Sequence, residues 1–270
     1  MEQYLIVTDI DGTLIPKTQQ VSDLTQAVFR KLQAQGHEIY VATGRMLALA
    51  RSITDQFTIP MGIISANGAV IAQDNQVKTH LLGQAAALAA YDICDHLDLT
   101  MRLFTLTDTY HNSRDESALA HMRFLRKRVP TSRMIPLKSR TDVLVIADQV
   151  TNGLAVNRAV DNRLIQARRE FMETGLFSLS ASSETNIELI PKGISKATAL
   201  KQVQQQLGID GDHTIVFGNG LNDVPMFKAA TTSVAMADAP QAVLDAATAI
   251  TEPVNQDGVP RFLMNRFKMN

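Results

Sequence analysis

Tyr4-Leu5-Ile6-Val7-Thr8-Asp9-Ile10-Asp11-Gly12-Thr13 runs from an apolar stretch straight into two carboxylates and a glycine. A short Val/Ile/Leu-rich run bounded by turn residues reads as a buried strand. Side chains alternate across a strand, so Asp9 and Asp11 share a face until the chain turns. Gly12 supplies that turn, and its N–H is expected to stay open to an anion. One carboxylate can then attack an electrophile while the other trades protons. The competing reading is a plain strand followed by Asp-Gly turn chemistry, and the rest of the chain decides between the two.

Downstream, strand-like and helical patterns alternate. Ser22 reads as an N-cap, with Leu24, Ala27, Val28 and Leu32 as a helical stripe that Gly36 closes. A strand over Glu38 to Ala42 ends in Thr43-Gly44-Arg45, a helix runs toward Phe57 before Pro60, and Ile63-Ile64 ends in Ser65-Ala66-Asn67-Gly68-Ala69. This β-α-β-α-β order implies parallel strands joined by right-handed crossovers, an α/β doubly wound sheet of Rossmann-like type. From about Gly83 the rhythm changes: a helix over Ala85 to Leu97, strands at Met101 to Thr105 and Thr109 to His111, and a basic helix over Ser117 to Arg128. A strand at Val143 to Ala147, a long helix around Val156 to Met172 and short runs at Phe177 to Ser180 and Ile187 to Ile190 follow. That stretch reads as an inserted α+β cap domain. A helix over Ser195 to Leu207, ended by Gly208, and strands at Thr214 to Phe217 and Ser233 to Met236 return to the opening style. The expected division is a discontinuous core, 1–82 and 188–270, around a cap at 83–187.

The 270 residues allow a core plus a lid, and the formal net charge of −1 argues against a general nucleic-acid binder. Cys94, the one cysteine, excludes a disulfide framework and reads as a small core residue. The N-terminus enters a strand at once and no stretch of eighteen apolar residues occurs, so no membrane partner and a cytoplasmic location are expected. The six histidines, at 37, 80, 96, 111, 121 and 213, lack zinc-helix spacing. No Gly-x-Ser-x-Gly elbow is present, and the glycine-rich Gly218 segment lacks the third glycine of a dinucleotide fingerprint. Arg123, Arg126, Lys127, Arg128 and Arg133 form a basic stretch that reads first as a solvated helix face and second as a steering patch for anions. Oligomeric state is not legible.

Four strand ends carry polar or glycine-rich segments: Asp9 to Thr13, Thr43 to Arg45, Asn67-Gly68, and Gly218-Asn219-Gly220-Leu221-Asn222-Asp223. In an open parallel sheet the carboxyl ends converge on one crevice. Lys192-Gly193-Ile194-Ser195-Lys196, at a helix start, adds a cation and backbone donors beside it.

In that order these segments resemble the four motifs of Cof-type phosphatases of the haloacid dehalogenase (HAD) superfamily: Asp9-x-Asp11-Gly12-Thr13, Thr43-Gly44-Arg45, Lys196, and Gly218 to Asp223. Asn67-Gly68-Ala69 and Asp257-Gly258-Val259 also fit that branch. The resemblance implies a phosphoryl transfer in which Asp9 is the nucleophile and Asp11 the acid and base, with Thr43 and Lys196 compensating phosphoryl charge. It implies Mg²⁺ held by the Asp9 carboxylate, the Asp11 carbonyl and the motif IV side chains Asn219 and Asp223. Gly12, Gly44, Arg45, Asn67 and Asn222 are the expected substrate contacts, with Glu184, Thr185 and Asn186 as further specificity candidates. The expected substrate is a small phosphorylated metabolite, a sugar phosphate or phosphorylated cofactor. The motif departs from the family at Asn219, where an aspartate is usual, which implies weaker Mg²⁺ binding with activity retained. The pair Asn219-Gly220 is also prone to deamidation. Competing readings are a phosphomutase of the same superfamily and, because of Asn219, a non-catalytic phospholigand-binding protein.

Overall fold

The computed structural model describes residues 2–16, 20–113, 129, 132–157, 161–181 and 183–269. The chain divides into two compact units, one formed by Met1–Gly44, Ala50–Lys78 and Ser195–Asn270, the other by Arg45–Leu49 and Thr79–Ile194.

The first unit is built on an eight-stranded sheet. Its strands are β1 (Leu5–Thr8), β2 (Glu38–Ala42), β3 (Gly62–Ser65), β4 (Val70–Gln73), β5 (Gln76–Thr79), β12 (Thr214–Gly218), β13 (Thr232–Met236) and β14 (Ala249–Thr251), in the order β14-β13-β12-β1-β2-β3-β4-β5. β1 is parallel to both β12 and β2, with Val7 opposite Val216 and Tyr40. β4 turns back antiparallel to β3. Every residue of β1, β3 and β12 is buried, as expected for strands covered on both faces. Leu5, Val7, Tyr40, Ala42 and Val216 pack against Ala199, Leu200 and Val203 of the helix Lys196–Leu207. Helix α1 (Asp23–Ala34) is a crossover between β1 and β2, started by the Ser22 hydroxyl, which accepts from the Thr25 N–H. This is the doubly wound α/β core expected from the opening repeats.

The second unit carries a six-stranded sheet, β10-β11-β9-β6-β7-β8, made of β6 (Thr100–Phe104), β7 (Thr109–His111), β8 (Met134–Pro136), β9 (Asn152–Val156), β10 (Phe177–Ser180) and β11 (Asn186–Pro191). The pairings are antiparallel apart from β7 with β8. Helices α3 (Gln84–His96), α4 (Arg140–Ile146) and α5 (Arg163–Thr174) cover its apolar face through Ala87, Ala90, Val143, Ile146 and Phe171. Cys94 lies in that core, fully buried, and burial pushes its thiol pKa well above the ordinary range. Helix α2 (Leu47–Thr54) follows β2 in the chain.

Four expectations about the inserted segment and its boundaries need correction. Val143 to Ala147 is helical: the Ser139 side chain and Asp142 form a capping box, and Val143 and Ile146 point inward at helical spacing. Asn152–Val156 is a strand held on both sides by β6 and β11, so the long helix begins only at Arg163. A boundary at 187/188 would cut β11, whose ladder to β9 and β10 holds it in the second unit; the division falls between Ile194 and Ser195. The first division lies between Lys78 and Thr79 rather than at 82/83. Arg123, Arg126, Lys127, Arg128 and His121 lie outside the described residues. Arg133 is a structural partner of Asp108: its backbone N–H and guanidinium both donate to that carboxylate, the latter at 2.6 Å.

Candidate active site

Asp9 is the first residue past β1, and its N–H donates to the Phe217 carbonyl at 3.0 Å, extending the ladder to β12 by one step. The carboxylate is thereby fixed at the carboxyl edge of the central strands. Helix α6 (Lys196–Leu207) starts at the same edge. Its N-cap, Ser195, accepts from the Thr198 N–H at 3.2 Å, while the Thr198 hydroxyl accepts from the Ser195 N–H at 2.9 Å. Lys196 is the first residue inside that cap.

The Lys196 ammonium is the centre of the site. Nζ donates to Asp9 Oδ1 at 2.6 Å and to Asp223 Oδ1 at 2.7 Å, and the three residues are 1 %, 6 % and 0 % exposed. The second Asp223 oxygen, Oδ2, accepts from the backbone N–H groups of Asn219 at 3.0 Å and Gly220 at 2.9 Å. Asp223 is thus engaged by three donors and folds its own loop around itself. Burial lowers the lysine pKa, but the carboxylates of Asp223 and Asp9 outweigh that and hold it above the ordinary value. Burial pushes Asp9 up, to about 7; Lys196 pulls the other way, and the negative charges of Asp223 and Asp11 add to the rise. With both carboxylates ionised, the trio carries one net negative charge in a buried place.

The loop after β1 is wound more tightly than expected. Gly12 N–H donates to the Ile15 carbonyl at 3.0 Å, so it is not open to an anion as the sequence suggested. The chain turns back on itself there, pairing Asp11 with Ile15 in an isolated bridge. What Gly12 supplies instead is a φ of +82° and a missing Cβ, which would lie 2.3 Å from the amide nitrogen of Asn219. Motif I and motif IV therefore meet at a glycine face. Asp11 is exposed beside this turn. Thr13, to which no role was assigned, buries a hydroxyl with no hydrogen-bond partner among the described residues, an orphan of the kind a bound ligand satisfies. Its place inside the pentapeptide was the only sequence signal for it.

Thr43, buried at the end of β2, donates its N–H to the Ile64 carbonyl at 2.8 Å and accepts from the Asn67 N–H at 3.0 Å. That ties two loops together. Ala66, Asn67 and Gly68 have φ of +52°, +53° and +101° in succession. For alanine such a backbone costs about 1–2 kcal/mol, and strain of this sort collects at functional loops. Gly68 explains why the turn is made: a Cβ there would lie 2.2 Å from the Ser195 carbonyl oxygen, so the loop presses directly on the cap of α6. Asn67 Oδ1 accepts from Asn222 Nδ2 at 3.3 Å. These two expected substrate contacts are bonded to each other and act at least as a strut between loops. Gly44 ends a segment of the first unit, whereas Arg45 falls in the second. Glu184 and Thr185 turn into β11, which Asn186 opens, with the Ser183 hydroxyl accepting from the Thr185 N–H and from Asn186 Nδ2.

The donor types are those of a hard dication. Carboxylate and amide oxygens with no thiolate or imidazole suit Mg²⁺, and the uncompensated negative charge around Lys196 calls for a cation. Among the described residues no group of three or more His, Cys, Asp and Glu side chains is disposed to hold an ion.

The haloacid dehalogenase-like hydrolase family matches residues 6–263 of the chain. The chain belongs to the HAD superfamily of hydrolases. It is 27 % identical over 259 residues to a 5-amino-6-(5-phospho-D-ribitylamino)uracil phosphatase of Bacillus subtilis, covering 95 % of this chain and 93 % of that protein. It is 28 % identical over 260 residues to a phosphoglycolate phosphatase of Methanopyrus kandleri, covering 96 % and 95 %. A solved haloacid dehalogenase-like hydrolase of B. subtilis superposes with a TM-score of 0.84 at 26 % identity, over 96 % of this chain and 98 % of that one. By membership and by these full-length relatives, this HAD protein is a phosphatase-type hydrolase.

Proposed function

We propose that the protein is a Mg²⁺-dependent phosphatase that removes phosphate from a small phosphorylated metabolite by way of an aspartyl-phosphate on Asp9. The observation that carries this reading is the Lys196 ammonium held between Asp9 and Asp223. Lys196 fixes one Asp9 oxygen, which orients the carboxylate and leaves the other oxygen for attack in line with the leaving group. An Asp9 oxygen forms a bond to phosphorus as the bond to the leaving oxygen breaks, and Asp11 gives its proton to that oxygen. Asp11 then takes a proton from the water that attacks the phosphoryl group, releasing phosphate and restoring Asp9. The Thr43 hydroxyl and Lys196 offset charge on the phosphoryl oxygens.

Asp9, Asp11, Asn219 and Asp223 are the residues that would hold Mg²⁺, and the metal supplies the positive charge that lets a phosphate dianion approach a carboxylate. Three donors already engage Asp223. The second unit is proposed to act as the cap that reads the organic part of the substrate. A phosphorylated sugar, polyol or cofactor is the favoured class, because one full-length relative is named for a phosphoribitylamino compound. A cytoplasmic location goes with such a substrate, and no described helix is long and apolar enough to cross a membrane. Phosphate release from a panel of phosphorylated sugars and cofactors, in wild type and Asp9→Asn, tests the reading. Turnover lost in the variant supports it. Appearance of a phosphorylated isomer without free phosphate would favour a mutase, and saturable binding without turnover a binding protein.

A further inference from the structure

The turn Ala66-Asn67-Gly68 reaches three other segments of the site. The Asn67 N–H donates to the Thr43 carbonyl at 3.0 Å, Asn67 Oδ1 accepts from Asn222 Nδ2 at 3.3 Å, and a Cβ on Gly68 would lie 2.2 Å from the Ser195 carbonyl oxygen. Ser195 caps the helix whose first residue is Lys196, and Asn222 precedes Asp223, whose Oδ1 accepts from Lys196 Nζ at 2.7 Å. These links close a ring that runs from Asn67 through Asn222, Asp223, Lys196, Ser195 and Gly68 back to Asn67. Lys196 is held in it at both ends, its backbone by the cap against Gly68 and its ammonium by Asp223. The turn itself sits in a disfavoured backbone, with φ of +52° at Ala66 and +53° at Asn67. Such strain persists where the surroundings over-determine it. Asparagine tolerates this φ better than most residues, but glycine would serve the turn as well, so conformation alone does not call for an amide. At 2 % exposure Asn67 also has little surface to offer a substrate. The bond to Asn222 gives the buried amide a task.

We propose that Asn67 is a positioning residue: through Asn222 it holds the loop that carries Asp223, and with it the Lys196 ammonium that orients the Asp9 carboxylate. The inference rests on the phosphatase reading above. Lys196 Nζ lies 2.6 Å from Asp9 Oδ1, so a shift of the loop is passed on to the nucleophile. A misplacement of about 1 Å at reacting atoms can cost about a hundredfold in rate. Asn67 acts through other residues and not on the substrate, so its loss falls on kcat and leaves KM nearly unchanged.

The test is a double-mutant cycle on the whole chain. Asn67→Gly removes the acceptor and keeps the backbone conformation, and Asn222→Ala removes the donor from the half-buried side. Steady-state kinetics with MgCl₂ on the panel of phosphorylated sugars and cofactors compares wild type, both single variants and the double variant, with far-UV circular dichroism as the check on folding. Each single variant is expected to lose about tenfold in kcat, with KM changed by less than about threefold. The double variant is expected to lose no more than the larger single loss, within about twofold, because two residues acting through one bond are not additive. If Asn67→Gly does not fold, Asn222→Ala decides the matter by the same split between kcat and KM. Wild-type kcat in either single variant, a raised KM at unchanged kcat, or losses that multiply in the double variant overturn the positioning role and leave the phosphatase reading intact. Absence of wild-type turnover on every compound of the panel overturns that reading and the positioning role with it.

Discussion

Replacing Lys196 by methionine removes one charge and little volume from the centre of the site. Two ion pairs, at 2.6 and 2.7 Å, disappear, and two carboxylates are left buried without their cation. Removing one partner of a buried pair costs about 3–5 kcal/mol, because the remaining charge is uncompensated. Here two carboxylates share the loss, so the upper part of that range is expected. It is a large fraction of the about 5–15 kcal/mol that holds a domain together. The assay is urea unfolding of the metal-free protein followed by far-UV circular dichroism, since the chain has no tryptophan. Lys201→Met, an exposed lysine one and a half turns along the same helix, is the control and should lose less than about 0.5 kcal/mol. The double variant Lys196→Met with Asp223→Asn should recover about 1–3 kcal/mol of the loss, as expected of directly coupled residues. A loss in Lys196→Met no larger than that of Lys201→Met would refute the reasoning, since the ammonium would then be compensating nothing.

Gly68→Ala puts a Cβ within 2.2 Å of the Ser195 carbonyl at a φ of +101°. It should cost about 2 kcal/mol or more by this clash and strain. It should also lower kcat at least tenfold with little change in KM, because Lys196 moves with its cap; steady-state kinetics checks both. His37 is buried, and its Nδ1 accepts from the Tyr4 N–H at 3.1 Å. Burial holds its pKa below the ordinary value. The unfolded chain therefore binds the extra proton first, and unfolding free energy should fall as pH drops through about 6.5 toward the folded pKa. The slope from this group is at most about 1.4 kcal/mol per pH unit. His37→Gln, compared by urea unfolding between pH 7.5 and 5, should lack that component.

Much of the first unit was legible because a parallel sheet announces itself locally. Each buried strand is a short apolar run ended by turn residues, and α1 and α6 carry their own caps, Ser22 and Ser195. The candidate site followed from the same rule, since strand ends in such a sheet converge. The second unit was harder. Val143 to Ala147 has strand-like composition, and only the capping box at Ser139 and Asp142 tips it to helix. Asn152–Val156 carries a glycine and few β-branched residues, so its strand state comes from being paired on both sides. Within the site, residue types were readable but allegiances were not. The bond of Gly12 N–H to Ile15, the Asn67–Asn222 amide pair and the engagement of Asp223 by three donors depend on how the loops close, which no local pattern records.

The most direct test of the account is inorganic phosphate release across a Mg²⁺ titration, with phosphorylated sugars and cofactors as substrates, comparing wild type with Asp9→Asn. The account predicts turnover in wild type that requires Mg²⁺ and falls by at least about 10³-fold in the variant, as expected when a covalent nucleophile is removed. Turnover that survives Asp9→Asn, or wild-type protein that binds these compounds at saturating Mg²⁺ and releases no phosphate, would contradict it.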